Sequence, residues 1–170
     1  MKKIHFSILF VIALLASTQS FAQMAIDKGT KFINLGIGVG GYGYYTATGG
    51  IGLNAAADFG VAQNITVGAS AGYKSYGSVA SYNYHSFDIG ARGSYHFNEI
   101  LNLGTDKADL YAGLGISYFS FSYGGYLSNY GSVYVPIHVG GRYFFSDNIG
   151  GFAELGSSLA TLKLGVTFKF

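Results

Sequence analysis

The sequence contains no cysteine, no tryptophan and a single proline, and only 11% of its residues are charged. Without cysteine there is no disulfide scaffold, no thiolate metal site, no cysteine nucleophile and no lipidated N-terminal Cys. Ordinary soluble domains carry roughly 25% charged residues, more than twice the share found here. Lys2 and Lys3 account for two of the ten Lys and Arg, which leaves eight basic against eight acidic residues in the rest of the chain. That balance offers no net charge to attract nucleic acid. Long hydrophobic runs are also missing. The longest, Phe6 to Ala16, is too short to cross roughly 30 Å of hydrocarbon as a helix, and no later run approaches 18 apolar residues.

What is present is glycine (27 residues), tyrosine (15) and phenylalanine (14), within a hydrophobic content of 49%. So much apolar material excludes intrinsic disorder, and 170 residues fit one domain with a targeting segment. Lys2 and Lys3, the apolar run after them, and Ser20-Phe21-Ala22 read as a secretory signal with cleavage after Ala22. The expected organisation is a cleaved signal peptide at 1–22, a short N-terminal segment at 23–30, and one folded domain at 31–170.

From there the chain alternates with period two, the pattern of strands whose two faces differ. Eight rows are legible. They begin with Ile33, Leu35, Ile37 and Val39; then Ile51 to Phe59; Ile65 to Tyr73; and Phe87 to Phe97. The second four are Leu110 to Tyr118, Val133 to Tyr143, Ile149 to Leu155, and Leu162 to Phe170. Strands of about ten residues can cross a bilayer at a tilt of about 45°.

The charges indicate what lies outside. None falls on the apolar rows, whereas Asp58, Lys74, Asp88, Arg92, Arg142, Glu154, Lys163 and Lys169 all take the alternate parity. A soluble barrel would carry many Lys and Glu on its polar face. Here that face is mostly Gly, Ser, Asn and Ala, which suits a narrow lumen where opposite charges pair. A charge facing lipid at mid-bilayer costs about 2–4 kcal/mol, which accounts for its absence from the apolar rows. Closure removes unpaired backbone edges, so a spanning sheet must be a barrel. The fold class is therefore all-β: an eight-stranded antiparallel up-and-down transmembrane β-barrel. Aromatic residues cluster at the row ends, with Phe59, Tyr95, Phe97, Tyr143, Phe168 and Phe170 at one rim and Tyr73, Phe87 and Tyr118 towards the other.

The last residues, Leu164-Gly165-Val166-Thr167-Phe168-Lys169-Phe170, form an alternating strand with a terminal aromatic. In this ending and in its overall pattern the chain resembles the small OmpX/OmpA-type outer-membrane β-barrel family. The resemblance implies that Phe168 and Phe170 form the signal read by the barrel-insertion machinery. It also implies placement in the outer membrane of a Gram-negative-type bacterium, with outer-membrane lipid around the barrel and both termini in the periplasm. Joins at 60–64, 98–108 and 146–148 are then periplasmic, and those near 43–50, 75–85, 120–132 and 156–161 face outward.

On this division the other eight charges (Asp27, Lys28, Lys31, Glu99, Asp106, Lys107, Asp109 and Asp147) fall on the periplasmic side and the outward joins have none. The outward joins are rich in Tyr, Gly and Ser, and Tyr44, Tyr45, Tyr82, Tyr84, Tyr123, Tyr126 and Tyr130 are the candidate contacts for a host or cell-surface ligand. Tyrosine offers contact area and a hydroxyl at low entropy cost. The same composition is expected where strands simply run on beyond the membrane. Only His85 could make this surface pH-responsive.

Catalytic motifs are weak. Gly36 to Gly41 has the GxGxxG spacing but lacks the helix that must follow it. Gly68 to Gly72 has the GxSxG spacing, yet Ser70 lies inside a strand and points inward. His96 and His138 also point inward, on non-neighbouring strands, with no paired metal-ligand spacing. No nucleophile–base pair stands out, and no cofactor is expected. Asp88, Arg92, Arg142, Glu154 and Lys163 are expected to form a lumen charge network, with Asp88 near Arg92 and Arg142 near Glu154 on adjacent strands. Eight strands leave an interior just filled by side chains, which favours a plug over a path. The expected function is a non-enzymatic outer-membrane surface protein with a structural or adhesive role. The alternatives are a narrow pore or transporter of small solutes or apolar molecules, and a soluble ligand-binding barrel.

Overall fold

The computed structural model describes residues 24–41, 50–79, 82–123 and 130–170, with the side chains of 76–84 and 123 outside that description. The proposed signal peptide, and Tyr44, Tyr45 and Tyr126, lie outside the described residues.

Nine strand segments follow one another: β1 (Lys31–Val39), β2 (Gly52–Ala62), β3 (Ile65–Val79), β4 (Tyr82–His96), β5 (Ala108–Tyr123), β6 (Tyr130–Tyr134), β7 (Ile137–Phe144), β8 (Ile149–Gly156) and β9 (Leu162–Lys169). β5 pairs antiparallel with both β6 and β7, and the other segments pair antiparallel with their neighbours in sequence. β1 pairs with β9 from Phe32↔Lys169 to Val39↔Leu162, closing the sheet. Segments β6 and β7 are two parts of one strand. Both keep the same register against β5, from Ser117↔Tyr134 to Leu114↔Ile137, with Val135 and Pro136 between them. The Pro136 carbonyl still accepts from the Gly115 amide at 2.9 Å. Proline has no N–H to return, and the ladder is interrupted there. The result is the closed eight-stranded up-and-down barrel that the eight rows anticipate.

The faces also fall as the alternation requires. Leu35, Leu114, Ile116 and Leu164 are about half exposed on the exterior, whereas Asn34, Asp58, Arg142 and Glu154 are at most 3% exposed inside. This distribution is the inverse of a water-soluble barrel.

The turns show where local chemistry sets the path. Between β2 and β3 only Gln63 and Asn64 intervene, and Asn64 takes a φ of 58°, a conformation Asn tolerates. Beside it, Gly60 sits where the register shifts, and a Cβ there would come within 2.0 Å of the Asp27 carbonyl oxygen.

Two boundaries differ from the sequence reading. The joins placed near 75–85 and 120–132 are largely strand: β3 and β4 run to Val79 and from Tyr82, and β5 runs to Tyr123 with β6 from Tyr130. Past the apolar belt both faces of a strand meet the same surroundings. Hydrophobic alternation fades there while pairing continues.

Candidate functional site

The lumen is filled by one connected set of ion pairs. Arg142 Nη1 donates to Asp109 Oδ2 at 2.7 Å and its Nη2 donates to Asp58 Oδ2 at 2.7 Å. Asp58 Oδ1 lies 3.1 Å from Arg92 Nε, and Arg92 Nη2 donates to Glu154 Oε2 at 2.8 Å. Glu154 Oε1 accepts from Lys163 Nζ at 2.9 Å, and its Oε2 also accepts from the Tyr111 hydroxyl at 3.1 Å. Three carboxylates thus alternate with three cations from β2, β4, β5, β7, β8 and β9, so the network ties most of the barrel wall together. The Arg142 guanidinium lies 4.3 Å from the Phe32 ring centroid and 4.2 Å from that of Tyr111. Gly36 makes room nearby, since a Cβ there would meet the Phe152 ring at 2.9 Å.

The expected network members Arg92, Arg142, Glu154 and Lys163 are therefore in it, but their partners differ from those expected. Arg92 meets Asp58 and Glu154 rather than Asp88, whose Oδ2 accepts from the Tyr134 hydroxyl at 3.0 Å. Arg142 lies opposite Phe152 in the sheet, and Glu154 lies opposite Gly140, which sends the two side chains to different partners. Asp109 corrects the sequence reading most plainly. Placed with the periplasmic-side charges, it is instead fully buried at one end of the network, against Arg142. Strand β5 already begins at Ala108, so Asp109 has the parity opposite to the exposed Leu110 and points inward.

Two hydroxyl–imidazole contacts also run against the expectation that no nucleophile–base pair is present. Thr66 Oγ1 lies 3.0 Å from His96 Nε2, and His96 Nδ1 lies 2.6 Å from Asp109 Oδ1, a hydroxyl–imidazole–carboxylate line. Ser94 Oγ lies 2.8 Å from His138 Nε2. Acyl transfer needs room for a reacting atom about 3 Å from the nucleophile. Thr66 is 1% exposed, and His96 and Asp109 are 0% exposed. Asp109 is also taken up by Arg142 and by Asn98 Nδ2 at 3.1 Å. This line braces the lumen. Ser70, in the GxSxG spacing, faces the lumen from within β3, and Gly36 and Gly38 lie within β1, with no helix of the described residues after either motif.

Both mouths are stoppered. At the end carrying the termini, residues 24–30 fold across the opening and bury Met24 and Ile26 against Phe32 and Phe144. The Ile26 carbonyl accepts from the Asn64 amide at 2.8 Å, and the Met24 carbonyl accepts from Asn98 Nδ2 at 3.1 Å. At the other end the β8–β9 turn dips inward, burying Leu159 and Ala160. Lys74 Nζ donates there to the Gly40 carbonyl. Between the stoppers, a cavity of about 20 Å³ lies beside Asn54, Ser70, Asp88, Arg92 and Glu154. That is room for about one water molecule. Neither stopper is marked in the sequence by a motif, although Met24 and Ile26 continue the parity of the inward Phe32.

Of the candidate contact tyrosines, Tyr130 is 64% exposed at the start of β6. Tyr82, Tyr84 and Tyr123 lie on strand backbone, with side chains outside the description. His85 Nδ1 is 2.7 Å from the Tyr73 hydroxyl, with the rings stacked 5.8 Å apart. Phe170 is exposed at the terminal end of the barrel, and Phe168 pairs with Ile33 and Ile149. Among the described residues no group of three or more His, Asp or Glu side chains is arranged to hold a metal ion.

No protein-family model and no curated protein matches the chain. Solved structures do. The N-terminal β-barrel domain of Pseudomonas aeruginosa OprF is similar over 85% of this chain and 98% of its own, with a TM-score of 0.55 and 18% identity. Ail, the attachment invasion locus protein of Yersinia pestis, matches over 84% and 99% of the two chains with a TM-score of 0.53 and 20% identity. Neisserial surface protein A matches over 83% and 94%, with a TM-score of 0.55 and 16% identity. The fold is that of the small OmpX/OmpA-type outer-membrane β-barrels.

Proposed function

We propose that this chain, folded as a small barrel of the outer-membrane type, is a non-enzymatic integral outer-membrane protein of a Gram-negative-type bacterium. In this reading it presents a structural or adhesive surface. One observation carries the reading: the closed wall is apolar outside, its ion pairs are inside, and both mouths are filled. Such a body is stable in lipid and offers solutes no through-path. Its business is then done at an exposed end. The end remote from the termini is the candidate, because the β3–β4 and β5–β6 ribbons reach towards it through joins without a single charge. Tyr, Ser and Gly there give contact area and hydrogen bonding without charge selectivity, which favours neutral surfaces over anionic polysaccharide. One fold neighbour, Ail, is named for attachment and invasion, in keeping with such a role.

The same inverted faces support an outer-membrane location, and in this reading the termini lie on the periplasmic side. Lipid and the insertion machinery, through Phe168 and Phe170, are the partners this reading entails. The pore reading has the filled mouths against it. The soluble-carrier reading has the exposed Leu and Ile of the exterior against it, where a carrier would present polar residues.

Deletion of 124–129, which leaves the Phe121↔Tyr130 pair joined by two residues, tests the adhesive role. The variant is expected to insert normally yet bind cells or extracellular matrix several-fold more weakly, scored beside conductance in planar bilayers. Unchanged binding, or ion conductance of the intact barrel, overturns the reading.

A further inference from the structure

Beyond the stoppered lumen, the wall itself has a gap. The ladder between the β6–β7 strand and β8 ends at Ile137 and Ser157: the Ser157 amide donates to the Ile137 carbonyl at 2.9 Å, and the Ile137 amide donates to Ser157 Oγ at 3.0 Å. Past that point Ser158, Leu159 and Ala160 turn into the lumen, while β6 continues outward, paired among the described residues with β5 alone. Alternation of the ladder aims the Val133 and Val135 backbone groups, like those of Ile137, away from β5 and into the space so left. Among the described residues no strand pairs with them.

That space is a cavity of about 330 Å³ lined by Phe119, Ser132, Tyr134, Val135, Ser157, Ser158 and Leu159. Its lining comes from both faces of the barrel. Val135 belongs to the exposed apolar row, whereas Tyr134 reaches inward to Asp88 and Leu159 is the stopper. The cavity therefore opens sideways through the wall, beside Val133 and Val135, level with the Tyr118 rim that pairs with Val133.

The lining specifies its occupant. Among the described residues that line the cavity none is charged, so neither a phosphate nor a carboxylate meets an opposite charge there. Phe119, Leu159, Val135 and the Tyr134 ring offer an apolar trough at the small end of ligand-pocket sizes. The Val133 carbonyl already accepts from Ser132 Oγ at 3.3 Å, and Ser158 Oγ donates to the Ala160 carbonyl. The Ser157 hydroxyl proton, the Val133 N–H and the Val135 backbone groups, beside which no strand lies among the described residues, offer hydrogen bonds at the margin, where unsatisfied backbone groups in an apolar setting are costly. We propose that this is a lateral binding site for a single acyl chain bearing an uncharged, hydrogen-bonding head, the chain in the trough and the head at the β6 edge. The site is independent of the adhesive role.

The test uses the full mature chain in dimyristoylphosphatidylcholine nanodiscs. One arm adds a monoacylglycerol with a diazirine at its chain end, and the other includes a diazirine-tailed phosphatidylcholine in the bilayer. Irradiation is followed by mapping of adducts by mass spectrometry. Saturable adducts on Phe119, Tyr134, Val135 or Leu159, competed by unlabelled monodecanoylglycerol, are expected with the first probe. Adducts at these residues with the phospholipid alone overturn the uncharged head and assign the acyl-chain site to a bilayer lipid. Val135→Trp and Ser132→Phe, each filling the trough from a position exposed on the wall, are each expected to cut this labelling about tenfold, the effect of about 1.4 kcal/mol of lost binding. Each variant is first checked for a heat-dependent gel shift that reports a closed barrel. Labelling spread along the whole apolar belt without saturation, or unchanged in both folded variants, overturns the proposal.

Discussion

The Arg142 guanidinium meets the Asp109 carboxylate at 2.7 Å with both side chains 0% exposed. Each has a second opposite charge or hydrogen-bond partner, Asp58 for the arginine and His96 for the aspartate. Such a pair gains little over a well-packed apolar pair, because desolvation offsets the Coulomb attraction. Removal of one member leaves the other uncompensated and is expensive. Arg142→Met is therefore expected to lower stability by about 3–5 kcal/mol in urea unfolding from lipid vesicles. A loss near zero would mean that the carboxylates find other partners and that the network is not a brace.

Arg92 and Glu154, at 2.8 Å, permit a sharper test because each keeps a second partner when the other is removed: Asp58 for Arg92, Lys163 for Glu154. A double-mutant cycle with Arg92→Met and Glu154→Gln is expected to show coupling of about 0.5–3 kcal/mol. Additive effects would place the two groups out of contact.

On the exterior, Leu114 lies midway along the apolar row of β5, between Leu110 and Tyr118. Leu114→Arg is expected to cost about 2–4 kcal/mol in a bilayer, and an arginine near the interface at Val61 no more than about 1 kcal/mol. Equal effects at the two depths would be inconsistent with a lipid belt centred on Leu114.

The stopper at the terminal end rests on Ile26, which is 1% exposed. Ile26→Ala is expected to destabilise by about 2–5 kcal/mol, the range for truncating a buried aliphatic. Proteolysis should release residues 24–30 more readily in that variant than in the parent chain. An unchanged cleavage rate together with unchanged stability would show that the segment does not close the mouth.

The strands are legible in the sequence because each apolar row has an unlike partner face, and only one parity satisfies both. Where that contrast fails, so does the reading. Strands β3 to β6 run past the belt without alternation and have the composition of loops. Asp109 is easily misplaced because Asp106 and Lys107 beside it have the look of a turn, although its parity against Leu110 already points inward. Asp58 is recognisable as an inward charge but not as the residue that joins the two arginines, because β2 and β7 lie far apart in sequence. The Thr66–His96–Asp109 line is hidden for the same reason: its members come from β3, β4 and β5, and no local spacing records that they meet. The inward dip of Leu159 and the gap beside Val135 depend on where one ladder stops, which no periodicity encodes.

A closed barrel inserted in the outer membrane underlies every prediction above, and electrophoresis of the outer-membrane fraction tests it without further assumptions. Unheated in SDS, the protein should migrate as a compact species, and boiling should shift the band as the barrel unfolds. Recovery of the protein from a soluble fraction, with identical migration before and after boiling, would contradict this architecture and reverse the reading of its two faces.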